Sequence, residues 1–148
     1  MNQNLNIEPV YRTNIILWAA FLISQFAFLV VIFFAKKELF TLDPSKPVLG
    51  KEPIVVLVIG LIALFNFGLS FYMKSMLTRQ AIDEQKPLSL QTAHIVAYAL
   101  CESISVFGLV TAFAFDYAYF FAFFILAVLG ILLHMPKRDN FIAAVYKK

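Results

Sequence analysis

A single carboxylate stands inside a long apolar stretch of this chain. Glu102 is the one formally charged residue between positions 93 and 115. If this stretch crosses a membrane, a charge near its centre costs at least about 2.5 kcal/mol, so such an acid is expected to face protein or water and to serve a function. The chemistry available to it is to bind and release a proton or to bind another cation.

Polar side chains accompany this acid on its own helix. At 100° per residue, Tyr98 and Ser105 lie within about 60° of Glu102 around a helix axis. His94 and Cys101 lie on the same side, at about 80–100°. Other apolar stretches carry Ser24, Gln25, Asn66 and Ser70 at similar depth. We therefore expect an ion-binding site between the first three apolar stretches, with these candidate residues: Glu102, Ser103, Ser105, Tyr98, Asn66 and Gln25.

The remaining titratable or nucleophilic groups have simpler interpretations. His94 lies near the end of its stretch, which is typical of an interfacial polar residue, with a proton relay as the alternative. Cys101 is interpreted as a small packing residue. The sequence contains no metal-ligand spacing, no glycine-rich phosphate loop and no nucleophile beside a histidine and an acid. It therefore predicts no enzyme, no metal site and no cofactor.

The elements that must position these residues are apolar enough to lie in lipid. Of the 148 residues, 61% are hydrophobic and 14% are charged, whereas soluble domains average about 45–50% and about 25%. Four apolar stretches approach the length of about 20 residues that crosses a bilayer, namely residues 15–35, 54–73, 93–115 and 118–133. The sequence predicts an all-α polytopic membrane protein with four transmembrane helices in a single domain, residues 1–148.

Segments outside these stretches also have helical patterns. The apolar spacing after residue 73 predicts that the second helix continues until Lys86 and Pro87 stop it, with Ser89 as the N-cap of the third helix. The tail, residues 136–148, carries apolar residues on one side between basic ones. It is expected to be an amphipathic segment resting on anionic headgroups, with a frayed basic tail as the alternative.

The distribution of basic residues predicts the orientation. Eight Lys and Arg residues belong to the two termini and the loop between the second and third stretches, and four lie on the other side. The positive-inside rule then places both termini in the cytoplasm. We expect an integral protein of the bacterial inner membrane. Its expected partners are the lipid bilayer and either further copies of itself or a membrane complex, and not nucleic acid.

The segment of residues 99–110, ALCESISVFGLV, resembles the second helix of the c subunit of rotary ATPases, the rotor-ring proteolipid. That helix has a small residue and Leu, then Glu-Ser, then an aromatic residue and Gly-Leu-Val. The resemblance implies that Glu102 carries the transported ion and that Ser103 matches a serine that helps coordinate sodium in some members. Phe107 stands where sodium-binding members tend to have tyrosine, which favours protons.

Three functions remain open at this point. The first is a homo-oligomeric membrane protein in which Glu102 binds a proton or another ion at the bilayer midplane, as an ion-translocating proteolipid does. The second is a structural or accessory subunit of a membrane complex, in which Glu102 is a hydrogen-bonding latch to Gln25 or Asn66. The third is a small proton-coupled exporter, although those proteins carry their acid in the first helix.

Overall fold

The computed structural model describes residues 7–41 and 46–146, which are helices joined by short connections. The helices are α1 (Ile7–Ala35), α2 (Pro53–Asp83), α3 (Pro87–Phe115), α4 (Phe121–Leu133) and α5 (Arg138–Val145). One 3-10 turn, Lys37–Phe40, follows α1. The described residues contain no strand, and the predicted all-α class is confirmed.

Three of these helices, α1, α2 and α3, are long and apolar enough to cross a membrane. Helix α4 has 13 residues and therefore rises only about 20 Å, which is less than the hydrocarbon thickness of about 30 Å. Helices α4 and α5 meet at a bend of 46°, and together they are long and apolar enough for a broken span or a re-entrant loop. The chain is thus a polytopic membrane protein with three candidate spans, or four if α4 and α5 count as one.

Proline marks the start of two of the long helices. Pro53 opens α2 and Pro87 opens α3, where the missing N–H of proline has no helical partner to lose. Lys86 stands at the N-cap of α3, so the prediction of Ser89 as the cap was wrong. Ser89 lies within the first turn because the proline already begins the helix two residues earlier.

Helix α3 is the centre of the bundle and contacts α2, α4 and α1, in decreasing order of extent. Small residues on its buried side allow the neighbouring backbones to approach, as is usual for helices packed in membranes. At Gly108, a Cβ atom would lie 2.9 Å from side-chain atoms of both Phe123 and Phe124. Glycine is therefore required there by the close approach of α4.

Helix α1 packs least deeply. Its buried residues are Asn14, Gln25 and Ile32, and Phe34 near its end is 82% exposed. An apolar side chain at this depth is solvated by lipid, so exposure carries no penalty there. Because two of its three buried residues are polar, α1 meets the bundle partly through hydrogen-bonding groups.

Helix α5 folds across the end of the bundle that also holds the start of α1. Phe141 and Ala144 are fully buried, whereas Ile142 and Tyr146 are 41% and 62% exposed. The predicted amphipathic tail is thus helical, and it buries part of its apolar side against α1, α2 and α3. The last two residues of that prediction, Lys147 and Lys148, lie outside the described residues.

Candidate ion-binding site

Glu102 lies on the outward face of α3 and is half-buried. Exposed residues spaced three or four apart continue above and below it along one line of the helix. They are Leu88, Thr92, Ile95, Ala99, Val106, Val110 and Phe113. We call this line of eight residues, with Glu102 included, the α3 stripe. Its one charged group is the carboxylate of Glu102.

Ser24 of α1 covers this carboxylate from one side. Its Oγ lies 2.8 Å from Glu102 Oε1 and 2.7 Å from the backbone oxygen of Phe21. A hydroxyl has one hydrogen and can donate it to only one of these acceptors at a time. If Glu102 is ionised, Ser24 donates to it. If Glu102 is protonated, its O–H donates to Ser24 while Ser24 donates to the Phe21 carbonyl. The geometry satisfies both protonation states.

Gln25 and Ser105 form a buried layer behind Ser24. The Ser105 hydroxyl donates to Gln25 Oε1. The Nε2 amide of Gln25 donates to Ser24 Oγ at 3.2 Å and to the Phe21 carbonyl at 3.1 Å. Gln25 and Ser105 are both fully buried. The contact between α1 and α3 therefore contains a continuous polar network that ends at the carboxylate of Glu102.

Asn66 and Ser103 form a separate pair between α2 and α3. Asn66 Nδ2 donates to Ser103 Oγ at 2.9 Å, and Ser103 donates to the Leu100 carbonyl at 2.7 Å. Successive helical residues point about 100° apart, so Ser103 faces α2 while Glu102 faces the gap between α1 and α2. In residues 7–41 and 46–146, Ser24 is the one hydrogen-bond partner of the carboxylate.

Tyr98 lies apart from this network. Its hydroxyl donates to the backbone oxygen of His134 at 3.3 Å, and its ring packs 5.4 Å from that of Phe21. Of the predicted site residues, the structure thus joins Glu102, Gln25 and Ser105, puts Asn66 and Ser103 beside them, and separates Tyr98. Ser24 was not among those candidates, although its position next to Gln25 in an apolar helix was a usable signal.

A second polar cluster lies beneath α5, and it includes Ser70, which was expected at the depth of Glu102. Ser70 Oγ is 2.8 Å from His134 Nε2, and Lys74 Nζ donates to the His134 carbonyl at 3.0 Å. Both Ser70 and His134 are buried. These contacts join α2 to the chain that follows α4, and they use the ammonium group of Lys74 as a donor to the backbone.

His94 belongs to the same end of the bundle. It is fully buried, so the expectation of an interfacial histidine was wrong, because α5 covers it. Its Nδ1 lies 2.7 Å from the Leu90 carbonyl, which can only accept, so Nδ1 carries the proton. Its ring stacks on Phe141 at 5.8 Å. Cys101 is buried and free, and its Sγ would be 2.6 Å from a Cβ at Gly130, so it packs against α4.

Comparisons with models of protein families, with curated proteins and with solved structures give no match. The resemblance to the rotary ATPase c subunit therefore rests on the sequence alone. Within the described part of the chain, no group of three or more His, Cys, Asp or Glu side chains is arranged to hold a metal ion. Glu102 and its contacts are the features of the molecule that bear on function.

Proposed function

We propose that this membrane protein binds and releases a proton at Glu102 within an assembly of several copies. The observation that carries the proposal is the position of the Ser24 hydroxyl between Glu102 Oε1 and the Phe21 carbonyl. When the Ser24 hydroxyl points to Glu102, it donates to the ionised carboxylate. When it points to the Phe21 carbonyl, its oxygen can accept a hydrogen bond from the neutral acid. A group that must change protonation state inside lipid needs such an exchange, because an unsatisfied buried polar group is costly.

The surroundings of the carboxylate favour a proton over a metal cation. Hard cations are held by several oxygen ligands at once. In the described residues, one side-chain oxygen, that of Ser24, lies within hydrogen-bond distance of Glu102, and the Asn66 amide is directed to Ser103 instead. The resemblance to the c subunit also favours a proton, since Phe107 stands where sodium-binding members tend to have tyrosine.

The outward direction of Glu102 supports an assembly rather than a single copy. In one isolated chain the carboxylate would face lipid from the α3 stripe, at a cost of about 2.5 kcal/mol or more. A second copy packed against this stripe would shelter the acid and supply the rest of its surroundings. In this proposal the α5 end faces the cytoplasm of a bacterial cell, as the excess of Lys and Arg at that end predicts.

A hydrophobic carbodiimide tests the proposal, because it modifies protonated carboxyl groups within lipid. We expect one label per chain, on Glu102, that decreases as pH rises and is absent from Glu102→Gln. Ser24→Ala should change the pH range over which labelling falls, since Ser24 is the hydrogen-bond partner of the carboxyl group. The matched control is Ser103→Ala, whose hydroxyl bonds to Asn66 and should leave the pH profile unchanged. Labelling that ignores pH, or identical profiles for both serine variants, would contradict the proposal.

A second candidate, a structural latch, is favoured by the shallow packing of α1. The polar network that includes Gln25 and Ser105 joins α1 to α3 where few other α1 residues are buried. A latch needs the hydrogen bond but not the charge, so Glu102→Gln would keep assembly intact and Glu102→Ala would disrupt it. Proton flux into liposomes separates the two functions. A proton-binding role predicts proton flux through the wild type that Glu102→Gln abolishes. A latch predicts no proton flux through the wild type or the variant.

A further inference from the structure

A polar cavity of about 430 Å³ opens at the end of the bundle opposite α5. It lies between the 3-10 turn after α1, residues 46–51 and the turn that joins α3 to α4. Its charged lining residues are Lys36, Glu38, Lys46, Lys51 and Asp116. The cavity therefore contains three ammonium groups and two carboxylates at the level of the helix ends.

The two carboxylates act mainly on one of these lysines. Lys36 Nζ lies 2.5 Å from Asp116 Oδ1. This hydrogen bond raises the pKa of Lys36, to which the charge of Glu38 also contributes, and it lowers the pKa of Asp116. Among the described residues, no carboxylate lies within ion-pair distance of Lys46 or Lys51. The charge of Lys51 acts on Asp116 from a longer distance, and neither of these two ammonium groups forms an ion pair in the described part of the chain, so both can contact an anion.

The wall of the cavity is held in place by aromatic residues. Tyr119 donates its hydroxyl to the Lys46 carbonyl at 3.1 Å, and Tyr117 donates to the Val48 carbonyl at 2.9 Å. Gly50 has a φ of +67° and lies against the Tyr117 ring, where a Cβ would be 3.0 Å from a ring carbon. These contacts within the protein therefore hold the segment that carries Lys46 against the bundle.

An apolar groove of about 330 Å³ begins at the same wall and continues between α2 and α4. Leu49 and Tyr117 line the groove, and their chain neighbours Gly50 and Ala118 line the cavity. Further along, the groove is lined by apolar residues that include Leu57, Gly60, Leu64 and Leu126. No atom lies within 4 Å of the position of a Cβ at Gly60. A charged cavity and an apolar groove thus meet at this end of the bundle.

We propose that the cavity and the groove together bind one anionic phospholipid, with its phosphate beside Lys46 and Lys51 and an acyl chain along Gly60. Basic pockets beside transmembrane helices suit anionic headgroups, and the groove suits the apolar part of the same molecule. A soluble anion would fill the cavity and leave the groove empty. The site is separate from Glu102 and does not depend on the function proposed for that residue.

The headgroup half of the site is tested by native mass spectrometry of the purified protein with equimolar phosphatidylglycerol and phosphatidylcholine. We expect the wild type to retain phosphatidylglycerol preferentially. The double variant Lys46→Gln, Lys51→Gln should lose this preference, because it removes two of the three ammonium groups that line the cavity. Lys37→Gln is the control, since Lys37 is exposed on the 3-10 turn and does not line the cavity. Equal losses in both variants, or no preference in the wild type, would overturn the proposal.

The acyl half is tested by two glycine substitutions on α2. Gly60→Leu fills the groove, whereas Gly68→Leu adds the same side chain at a position that is equally open and outside the groove. At neither position does a Cβ atom meet another atom within 4 Å, and leucine is a better helix former than glycine, so both variants should fold. Gly60→Leu is expected to lower retention of both lipids, and Gly68→Leu to behave as the wild type. If Gly60→Leu has no effect and glycerol phosphate alone displaces the lipid, the site binds soluble anions and the proposal is wrong.

Discussion

The two ends of the helical bundle are closed by different kinds of contact. At one end α5 lies across the bundle and buries Phe141 completely, with its ring against Tyr11 at 5.5 Å and His94 at 5.8 Å. At the other end, the closure depends on the ion pair of Lys36 with Asp116, whose side chain is 51% exposed, and on tyrosine hydroxyls bound to backbone carbonyls. We call the end covered by α5 the sealed end and the end with the Lys36–Asp116 ion pair the open end.

The lysines at the two ends show what this difference means for function. At the sealed end, Lys74 donates to the His134 carbonyl beside a buried serine and histidine, so its ammonium group takes part in internal packing. At the open end, Lys46 and Lys51 line a cavity. At the sealed end, packing closes the space around buried polar groups, although Asn14 Oδ1, Thr78 Oγ1 and His94 Nε2 have no hydrogen-bond partner among the described residues. At the open end, hydrogen bonds to the backbone hold residues 46–51 without filling the space behind them. The second arrangement leaves room for a ligand.

The largest expected effect tests whether α5 truly seals its end. Phe141→Ala should lower the free energy of unfolding by about 3 kcal/mol or more, because it removes a fully buried ring and leaves a cavity. Phe34→Ala is the matched control, since Phe34 is 82% exposed, and it should have little effect. Denaturant unfolding of both purified variants in the same detergent gives the comparison. Similar values for the two would mean that α5 rests loosely on the bundle.

A smaller effect is expected at the open end from Tyr117→Phe. This change keeps the ring but removes the hydroxyl that binds the Val48 carbonyl at 2.9 Å. Loss of one such hydrogen bond costs about 1 kcal/mol, and proteolysis within residues 46–51 should become faster. Tyr72→Phe, at a residue that is 64% exposed, is the control. An unchanged proteolysis rate would show that the loop is fixed without this hydroxyl, and the contrast between the two ends would weaken.

The fold class followed from the sequence because long apolar stretches with one internal charge have few alternatives to membrane helices. The helix ends were less predictable. Helix α1 begins at Ile7, eight residues before the apolar stretch, because helical backbone hydrogen bonds continue through polar residues once they leave the lipid. The predicted fourth stretch was accurate at its end but not at its start, since residues 118–120 form a turn and α4 begins at Phe121.

The sequence indicated which residues lie at the same level as Glu102, but not where their side chains point. Gln25 and Ser105 lay at the depth of Glu102, and the structure joins them in one network. Tyr98 fell on the correct side of α3, but long helical side chains point back toward the helix N-terminus. A tyrosine four residues before Glu102 therefore extends away from it, toward His134.

The polar cluster at the sealed end could not be predicted from local patterns. Ser70 and Lys74 come from α2, whereas His134 follows α4, and the contact between Ser70 and His134 joins residues 64 positions apart. In the sequence, Lys74 and His134 resemble ordinary polar side chains near the end of a span, and Ser70 resembles a polar group at the depth of Glu102. Only the packing of α2 against the end of α4 brings them together, and that packing depends on side-chain shapes that no periodicity encodes.

The smallest expected effect concerns the ion pair at the open end. Asp116 has a left-handed φ of 48°, which asparagine also tolerates, so Asp116→Asn removes the charge without new backbone strain. Because Lys36 lowers the pKa of Asp116 below its ordinary 3.8, the pair stabilises the folded state above that pH and is lost as pH falls through the lower folded value. At pH 7 the variant should melt about 1–2 °C below the wild type, as expected for a surface pair, and the difference should vanish near pH 2.

Thermal scans at both pH values measure this difference in melting temperature, with Asp139→Asn at the sealed end as the control. A difference that persists at low pH would mean that Asp116 acts through its backbone position rather than its charge, and that charge does not distinguish the two ends.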